Sequence, residues 1–331
     1  MLDIIMTHYR EPWSVGEKFF TMLDLQRGVN FDEIRIILVN DGDDELPAEH
    51  FENRPYRVDR YKIAHAGVSA ARNEGLRRAT DTWVTFCDFD DMFVSVYSLK
   101  AVMDALHADN ADFYDVLWTE FISEETKHGY LELAPRPFNT VFNHGKYYRR
   151  SAIIEHDIWF NEKIEFNEDS EFNSILYLAL TNKRYGQIKN SIPIYTWICQ
   201  NQSVTHSPTA YWRGRIGNYW RNKSVLAAYK RYEELSRYAG MYTRVCWDTY
   251  YTLNTVAPHD CYNEIADDFK KNIAPYAQKY LDIVNADAEL IEKIKNVSWQ
   301  DYSAEKTDDF KLNESISFEE WMKGVVSVGS M

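Results

Sequence analysis

What most limits the fold of this chain is the alternation, over its first third, of short apolar runs with amphipathic stretches. Leu2 to Met6, Ile34 to Val39 and Trp83 to Cys87 are too short for buried helices and rich in β-branched or aromatic residues, so each reads as a strand. Between them, Val15 to Leu25 places Phe19, Phe20, Met22, Leu23 and Leu25 at helical spacing. Ser69 to Ala79 does the same with Ala70, Ala71, Leu76 and Ala79. Strands alternating with crossover helices build a parallel sheet flanked by helices, an α/β architecture.

Further along, the spacing predicts a helix from Leu99 to about Leu106 and an aromatic strand from Phe113 to Phe121. Phe138 to Arg150 reads as loop and short strand, Asp169 to Leu180 as helix, and Ile192 to Cys199 as strand. Pro208 marks a boundary, giving a domain over 1–206 and a mostly helical region over 207–331. In that second region Tyr262 to Tyr280 and Asp282 to Val297 are amphipathic, and the stretch after Ser298 is weakly patterned.

Composition narrows the function. With 37 Lys and Arg against 51 Asp and Glu, the chain carries a formal charge of −14 and as a whole repels phosphate polymers and anionic membranes. The four cysteines are far apart, without a Cys-x-x-Cys pair, which argues against zinc ribbons, redox dithiols and a disulfide framework. No run approaches the roughly 18 apolar residues of a membrane span, and the opening residues lack a basic leader, so a cytoplasmic protein is expected.

In open α/β sheets ligands bind at the carboxyl ends of the strands, where Tyr9 and Glu11, Asp41, and Asp88 to Asp91 are expected to converge. Asp88-Phe89-Asp90-Asp91 puts three carboxylates at the end of an apolar strand. They repel one another unless a cation compensates, and oxygen donors of this kind suit Mg²⁺ or Mn²⁺; the plainer alternative is an acidic turn in which Asp91 caps the next helix. Asn40-Asp41-Gly42 is either an ordinary turn or a place where Asp41 accepts hydrogen bonds from a base or ribose. Gly67 to Asn73 opens a helix with small residues and then Arg72, suited to a diphosphate or simply to helix–sheet packing. It matches neither a dinucleotide fingerprint, a P-loop nor a nucleophile elbow. Glu168-Asp169 starts a helix, either as carboxylates stabilised by the helix dipole or as a general base.

Taken in order, these stretches resemble the family 2 glycosyltransferases, over about residues 1–205. His8-Tyr9-Arg10-Glu11 matches the family's first strand end, Val39 to Asp43 its Asp-Gly-Ser, and Gly67 to Asn73 its Gly-x-x-x-Ala-Arg-Asn. Asp88 to Asp91 matches Asp-x-Asp-Asp, Glu168-Asp169 with Phe172 the Glu-Asp pair, and Gly145 to Arg150 the Gly-x-x-Tyr-Arg-Arg stretch. Thr7 stands where the family commonly has proline, and Phe89 where it usually has a smaller residue.

The resemblance implies a GT-A fold, a Rossmann-like mixed sheet flanked by helices. It also implies an inverting, metal-dependent transfer of a sugar from a nucleotide donor, expected to be UDP-linked, to a hydroxyl acceptor. Asp169 is then the base and Glu168 an orienting group. Asp90, with Asp88 and His206, holds Mn²⁺ or Mg²⁺. Thr7, Tyr9, Glu11, Asp41, Arg72, Asp88 and Asp90 bind the donor, and Asp91 and Trp197 the acceptor.

His206 reads equally as a surface histidine, and Tyr195 and Trp197 as core residues or sugar platforms. The run Tyr211 to Lys223 is either a helix packing through Trp212, Ile216, Tyr219 and Trp220 or a basic patch for a phosphate-bearing acceptor or nucleic acid. A polysaccharide or other polymer acceptor, and a homo-oligomer, also fit. The rival readings are a non-catalytic carbohydrate- or partner-binding module on the same scaffold and a nucleotidyltransferase, which lacks a reason for Glu168-Asp169.

Overall fold

The computed structural model describes residues 1–42, 45–116, 118–122, 132–136, 142–180, 184–188, 194–199, 210–231, 235–255, 260, 262–277 and 315–329. The chain forms two compact units, one of Met1–Lys163 with Glu168–Asn201, the other of Ile164–Asn167 with Gln202–Met331.

The first unit carries the sheet. In chain order its elements are β1 (Leu2–His8), α1 (Trp13–Asp24), β2 (Ile34–Asp41), β3 (Arg57–Ile63), α2 (Val68–Arg78), β4 (Trp83–Asp88), β5 (Met92–Phe93) and α3 (Ser98–Ala108). They continue as β6 (Phe113–Val116), β7 (Trp118–Ile122), β8 (Glu132–Arg136), β9 (Lys146–Arg149), α4 (Arg150–Ile154), α5 (Glu168–Ala179), β10 (Tyr185–Ile188) and β11 (Tyr195–Cys199). The main sheet has seven strands in the order β10-β6-β9-β4-β1-β2-β3, and a second sheet has four in the order β5-β11-β7-β8. β1 pairs in parallel with both β2 and β4, so all three deliver their carboxyl ends to the same edge. β9 runs antiparallel between β4 and β6.

The apolar runs form strands because helices cover both faces. Phe19, Phe20 and Leu23 of α1 are buried, and on α2 Gly75 lies so close to β1 that an added Cβ would stand 2.3 Å from Ile5 Cγ2. The one charge inside β1, Asp3, is fully satisfied: Arg35 forks onto it at 2.7 and 2.8 Å, and the Thr80 and Asp81 N–H groups donate to it. Burial acts to raise the Asp3 carboxyl, yet these donors hold it below its ordinary value.

Phe89 turns inward rather than toward a ligand. It is 2% exposed, packs beside His8, Trp13 and Phe20, and fills the space that the absent side chain of Gly16 leaves on α1.

Several expectations need correction. Phe113 to Phe121 is two strands in different sheets, β6 pairing with β9 and β10 while β7 pairs with β8 and β11. β3 escaped the periodicity because Arg57, Asp59, Arg60 and Lys62 occupy an edge strand, where charge discourages further pairing. Asp91 does not cap a helix: it precedes β5, and α3 starts only at Ser98.

The second unit is helical in its described residues, with α6 (Ala210–Arg231), α7 (Leu235–Leu253), α8 (Tyr262–Asn272) and a final helix Phe318–Gly329. The expected helix to Tyr280 stops at Asn272 and passes into a 3₁₀ turn containing Pro275, whose ring removes an N–H. The tail after Ser298 includes the Phe318–Gly329 helix, whose Phe318 and Met322 join Tyr242, Val245, Ile265 and Phe269 in a core. The stretch Asp282 to Val297 lies outside the described residues. No helix among the described residues is long and apolar enough to cross a membrane.

The basic run on α6 is largely answered from within its own unit. Arg213 pairs with Glu165, Lys223 donates to Asp268 at 2.7 Å, and Arg215 is 2% exposed with its guanidinium over the Tyr251 ring. Tyr219 is buried, and Ile216 and Trp220 pack on the helical core. The side chains of Tyr211 and Trp212 lie outside the described residues.

Candidate active site

The carboxyl edge of β1, β2 and β4 is a polar rim built on an apolar floor. At the end of β1, His8 is 2% exposed, with Nδ1 at 2.5 Å from Asn40 Oδ1 and Nε2 at 2.8 Å from the Glu11 carbonyl. Thr7 precedes it, half-buried, in register with Val39 and Asp88. Arg10 turns the chain with a φ of 67°, and Glu11 folds back to accept from the Tyr9 N–H at 2.7 Å. Burial, and more weakly the charge of Asp88, pushes the Glu11 carboxyl upward.

Asp41, at the end of β2, is 3% exposed and organises the entry to α2. Its carboxylate accepts from Ala66 N at 2.7 Å and Gly67 N at 2.9 Å, and lies 2.9 Å from His65 Nδ1. Gly67 has a φ of 94°, which a side chain would strain. The exposed ring of His65 stacks on Tyr9 at 4.2 Å.

Arg72 is the hub. On α2 and 7% exposed, it donates to Asp88 Oδ1 at 2.9 Å and Glu168 Oε1 at 2.6 Å, with its guanidinium over the Phe160 ring. Burial opposes the guanidinium's charge, but Asp88, Glu168 and Asp169 outweigh it and raise Arg72 above its ordinary value. For Asp88 the same pairing outweighs burial and lowers the carboxyl. Asp169 goes the other way: burial first, then the charge of Glu168, pushes it up to about 7. Asp90 is raised to about 7 by burial and then by Asp88.

A second cluster lies beside the hub. Donor atoms of Asp88, Asp91 and His144 all stand within 4.8 Å of one another. Asp91 has no exposed surface and accepts a hydrogen bond from the Tyr195 hydroxyl. His144, in the turn before β9, stacks on Trp197 at 5.5 Å and has Nδ1 at 3.8 Å from Asp91 Oδ2. Burial holds the His144 imidazole down to about 4, so it is neutral at physiological pH and can act as a ligand. Two carboxylates and a neutral imidazole form a donor set that fits a divalent cation.

The structure thus brings Asp88, Arg72, Glu168 and Asp169 together, with Asp90 and Asp91 on the turn after β4 and Tyr9, Glu11 and Asp41 along the same strand ends. Asp90 is not part of the three-donor cluster. Tyr195 is 1% exposed and belongs to the core, and Trp197 is half-buried against that core as well as against His144. His206 lies outside the described residues. The residue that sequence reasoning missed is His144. Its only local signal was its place in Asn143-His144-Gly145, immediately before the Lys146 to Arg150 stretch.

This fold, a mixed seven-stranded sheet flanked by helices, is that of the GT-A class. Residues 3–165 match the family model "Glycosyl transferase family 2", so this segment is a family 2 glycosyltransferase domain. It is similar to the Minor teichoic acid biosynthesis protein GgaA of Bacillus subtilis, 30% identical over 184 residues, or 50% of this chain and 40% of that protein. The uncharacterized glycosyltransferase EpsJ of the same organism is 29% identical over 43% of this chain and 46% of its own length. The matched segments therefore span less than half of these relatives. Among solved structures, TarS 1–349 of S. aureus in complex with UDP aligns with a TM-score of 0.53 and 15% identity, over 88% of this chain and 82% of that one. TarS 1–349 has also been solved with UDP-GlcNAc, aligning at a TM-score of 0.54 and 15% identity over 88% of this chain and 81% of that one. At this identity the likeness is one of fold.

Proposed function

We propose that this protein is an inverting glycosyltransferase that moves a sugar from a UDP-linked donor to a hydroxyl acceptor. The observation that carries the reading is the Arg72 bridge, which joins the acidic end of β4 to the Glu168-Asp169 start of α5. In an inverting transfer the acceptor hydroxyl attacks the anomeric carbon from the face opposite the leaving diphosphate, so one base and one leaving-group stabiliser suffice.

Asp169 takes the proton from the acceptor hydroxyl as its oxygen bonds to the anomeric carbon. A base near 7 matches the Brønsted requirement for proton transfer close to neutral pH. Glu168 orients the acceptor or donor and, through Arg72, sets the start of α5. On donor binding Arg72 supplies positive charge toward the diphosphate, while Tyr9, Glu11, Asp41 and Thr7 border the nucleoside.

Asp88, Asp91 and His144, with Asp90 on the same turn, would hold Mn²⁺ or Mg²⁺, whose charge when bound offsets what develops on the leaving diphosphate. In this reading Asp91 belongs with the cation rather than with the acceptor, which its lack of exposed surface supports. Trp197 remains the acceptor-side aromatic.

The UDP and UDP-GlcNAc complexes of TarS support a UDP-linked donor. We assign catalysis to residues 1–206 and acceptor binding or assembly, including self-association, to 207–331. The buried free thiols Cys87 and Cys246 suit a reducing, cytoplasmic setting. The test is hydrolysis and transfer of a panel of nucleotide sugars with Mn²⁺ or Mg²⁺. UDP-sugar turnover that needs the metal and disappears in Asp169→Asn supports the reading; turnover unchanged in that variant overturns it.

A further inference from the structure

Beside the site lies a buried polar network that links Tyr148, Asn143 and Asn173. Tyr148 on β9 is fully buried, and its hydroxyl stands 2.7 Å from Asn173 Oδ1 and 3.1 Å from Asn143 Oδ1. Asn173 Nδ2 donates to Asn143 Oδ1 at 2.9 Å and to the backbone carbonyl of Asp169 at 3.0 Å. Asn143 and Asn173 are 3% and 4% exposed. Around them are Phe86, Phe113 and Phe172, each within 6 Å of the Tyr148 ring.

In such surroundings apolar side chains of similar volume would stabilise the unit at least as well, since buried polar groups lose water and recover only part of that loss through hydrogen bonds. Asn143 Nδ2 is moreover buried without a hydrogen bond among the described residues. What the network does is geometric. One end is the turn that holds His144, next in sequence to Asn143; the other is the first turn of α5, where Asn173 grips the carbonyl of Asp169 itself. Tyr148 anchors both to β9, a strand held on each side by β4 and β6.

We propose that Tyr148, Asn143 and Asn173 are positioning residues that lock the general base to the cation-binding turn, so that Asp169 and His144 keep a fixed relation during transfer. The inference rests on the roles proposed above for Asp169 and His144. Displacements of about 1 Å at a reacting centre can lower rates by about a hundredfold, so cutting the network should be felt in turnover rather than in donor binding.

The test compares Tyr148→Phe and Asn173→Leu with Val102→Ala, a cavity variant in the apolar core at α3 that serves as a control for lost stability alone. Melting temperature, kcat, donor KM and direct binding of Mn²⁺ are measured on the full chain. The expected result is a fall in kcat of about tenfold or more in both network variants, a donor KM within about threefold of wild type, and Mn²⁺ binding weakened about fivefold. Asn173→Gln, which keeps an amide able to donate to the Asp169 carbonyl and to accept from Tyr148, should recover part of the loss. Val102→Ala should lower the melting temperature without moving the Mn²⁺ constant. Network variants that lose melting temperature but keep wild-type kcat and Mn²⁺ binding overturn the proposal while leaving the transferase reading intact. A wild-type protein that turns over no nucleotide sugar overturns both.

Discussion

Arg72 and Glu168 are 96 residues apart in the chain and joined by a 2.6 Å charge-assisted hydrogen bond, with Asp88 taking the other arm of the same guanidinium. This contact turns two acidic segments from different elements into one site. It also keeps several carboxylates ionisable within a small volume, since a buried cation lowers the cost of each neighbouring negative charge.

Asp169→Asn keeps the size of the side chain and removes its ability to take a proton. It is expected to lower kcat by about 10²–10⁴ while donor affinity changes little. Steady-state transfer, with calorimetric binding of the donor alongside, checks this; equal losses in both would place Asp169 in donor binding instead.

The rate should rise with pH. Asp169 is pushed up to about 7 by burial and the adjacent Glu168 charge, and the base must be ionised to act. Log kcat is therefore expected to climb with unit slope below about 7 and to level off above it. A profile flat from pH 5.5 to 8 would assign the proton transfer to another group. The stability effect has the opposite sign: a carboxyl raised in the folded state favours folding when protonated, and that contribution is lost as pH rises through about 7.

Replacing Arg72 by Met leaves Asp88, Glu168 and Asp169 facing one another without a buried cation. Breaking a buried ion pair typically costs about 3–5 kcal/mol. Asp88 is 32% exposed on its side chain, so about 2–3 kcal/mol is expected here, read as a lower urea midpoint. Arg72→Lys should recover only part of this, because an ammonium lacks the fork that reaches both carboxylates.

Chelation of divalent metal should abolish transfer, and His144→Ala should weaken Mn²⁺ more than Mg²⁺, since imidazole nitrogen is a better ligand for the softer ion. Metal titration of activity in both proteins measures this. Equal metal constants in wild type and variant would exclude His144 from the coordination shell.

Gly16→Ala puts a Cβ 2.3 Å from the Phe89 ring, with no space to accept it. Overpacking of this kind costs about 1–3 kcal/mol. A drop in melting temperature is expected, and Phe89→Leu added to it should return part of the loss. Additive effects of the two substitutions would show that they do not share the space.

The legible parts of this protein were those that depend on neighbours in sequence. The runs Leu2 to Met6, Ile34 to Val39 and Trp83 to Cys87 announce buried strands through composition and length alone, and each observed strand contains its run. The acidic ends of β2 and β4 and the Glu-Asp start of α5 could be read, and matched to a family, because motif spacing is preserved along the chain.

What tertiary structure decided is which of these segments share a volume, and therefore what environment each carboxylate has. No local pattern places the Tyr195 hydroxyl on Asp91, 104 residues away, or turns Phe89 into the core instead of toward a ligand. Nor could it divide Phe113 to Phe121 between two sheets, since strand partners are chosen by packing across the whole unit. His144 shows the limit most plainly. A histidine in a turn has no periodicity to betray it, and it enters the site only because β9 inserts beside β4 and brings the preceding turn against Asp88 and Asp91. Sequence determined which groups are available and where strands begin and end; long-range pairing and burial determined which of those groups meet, and with what charge.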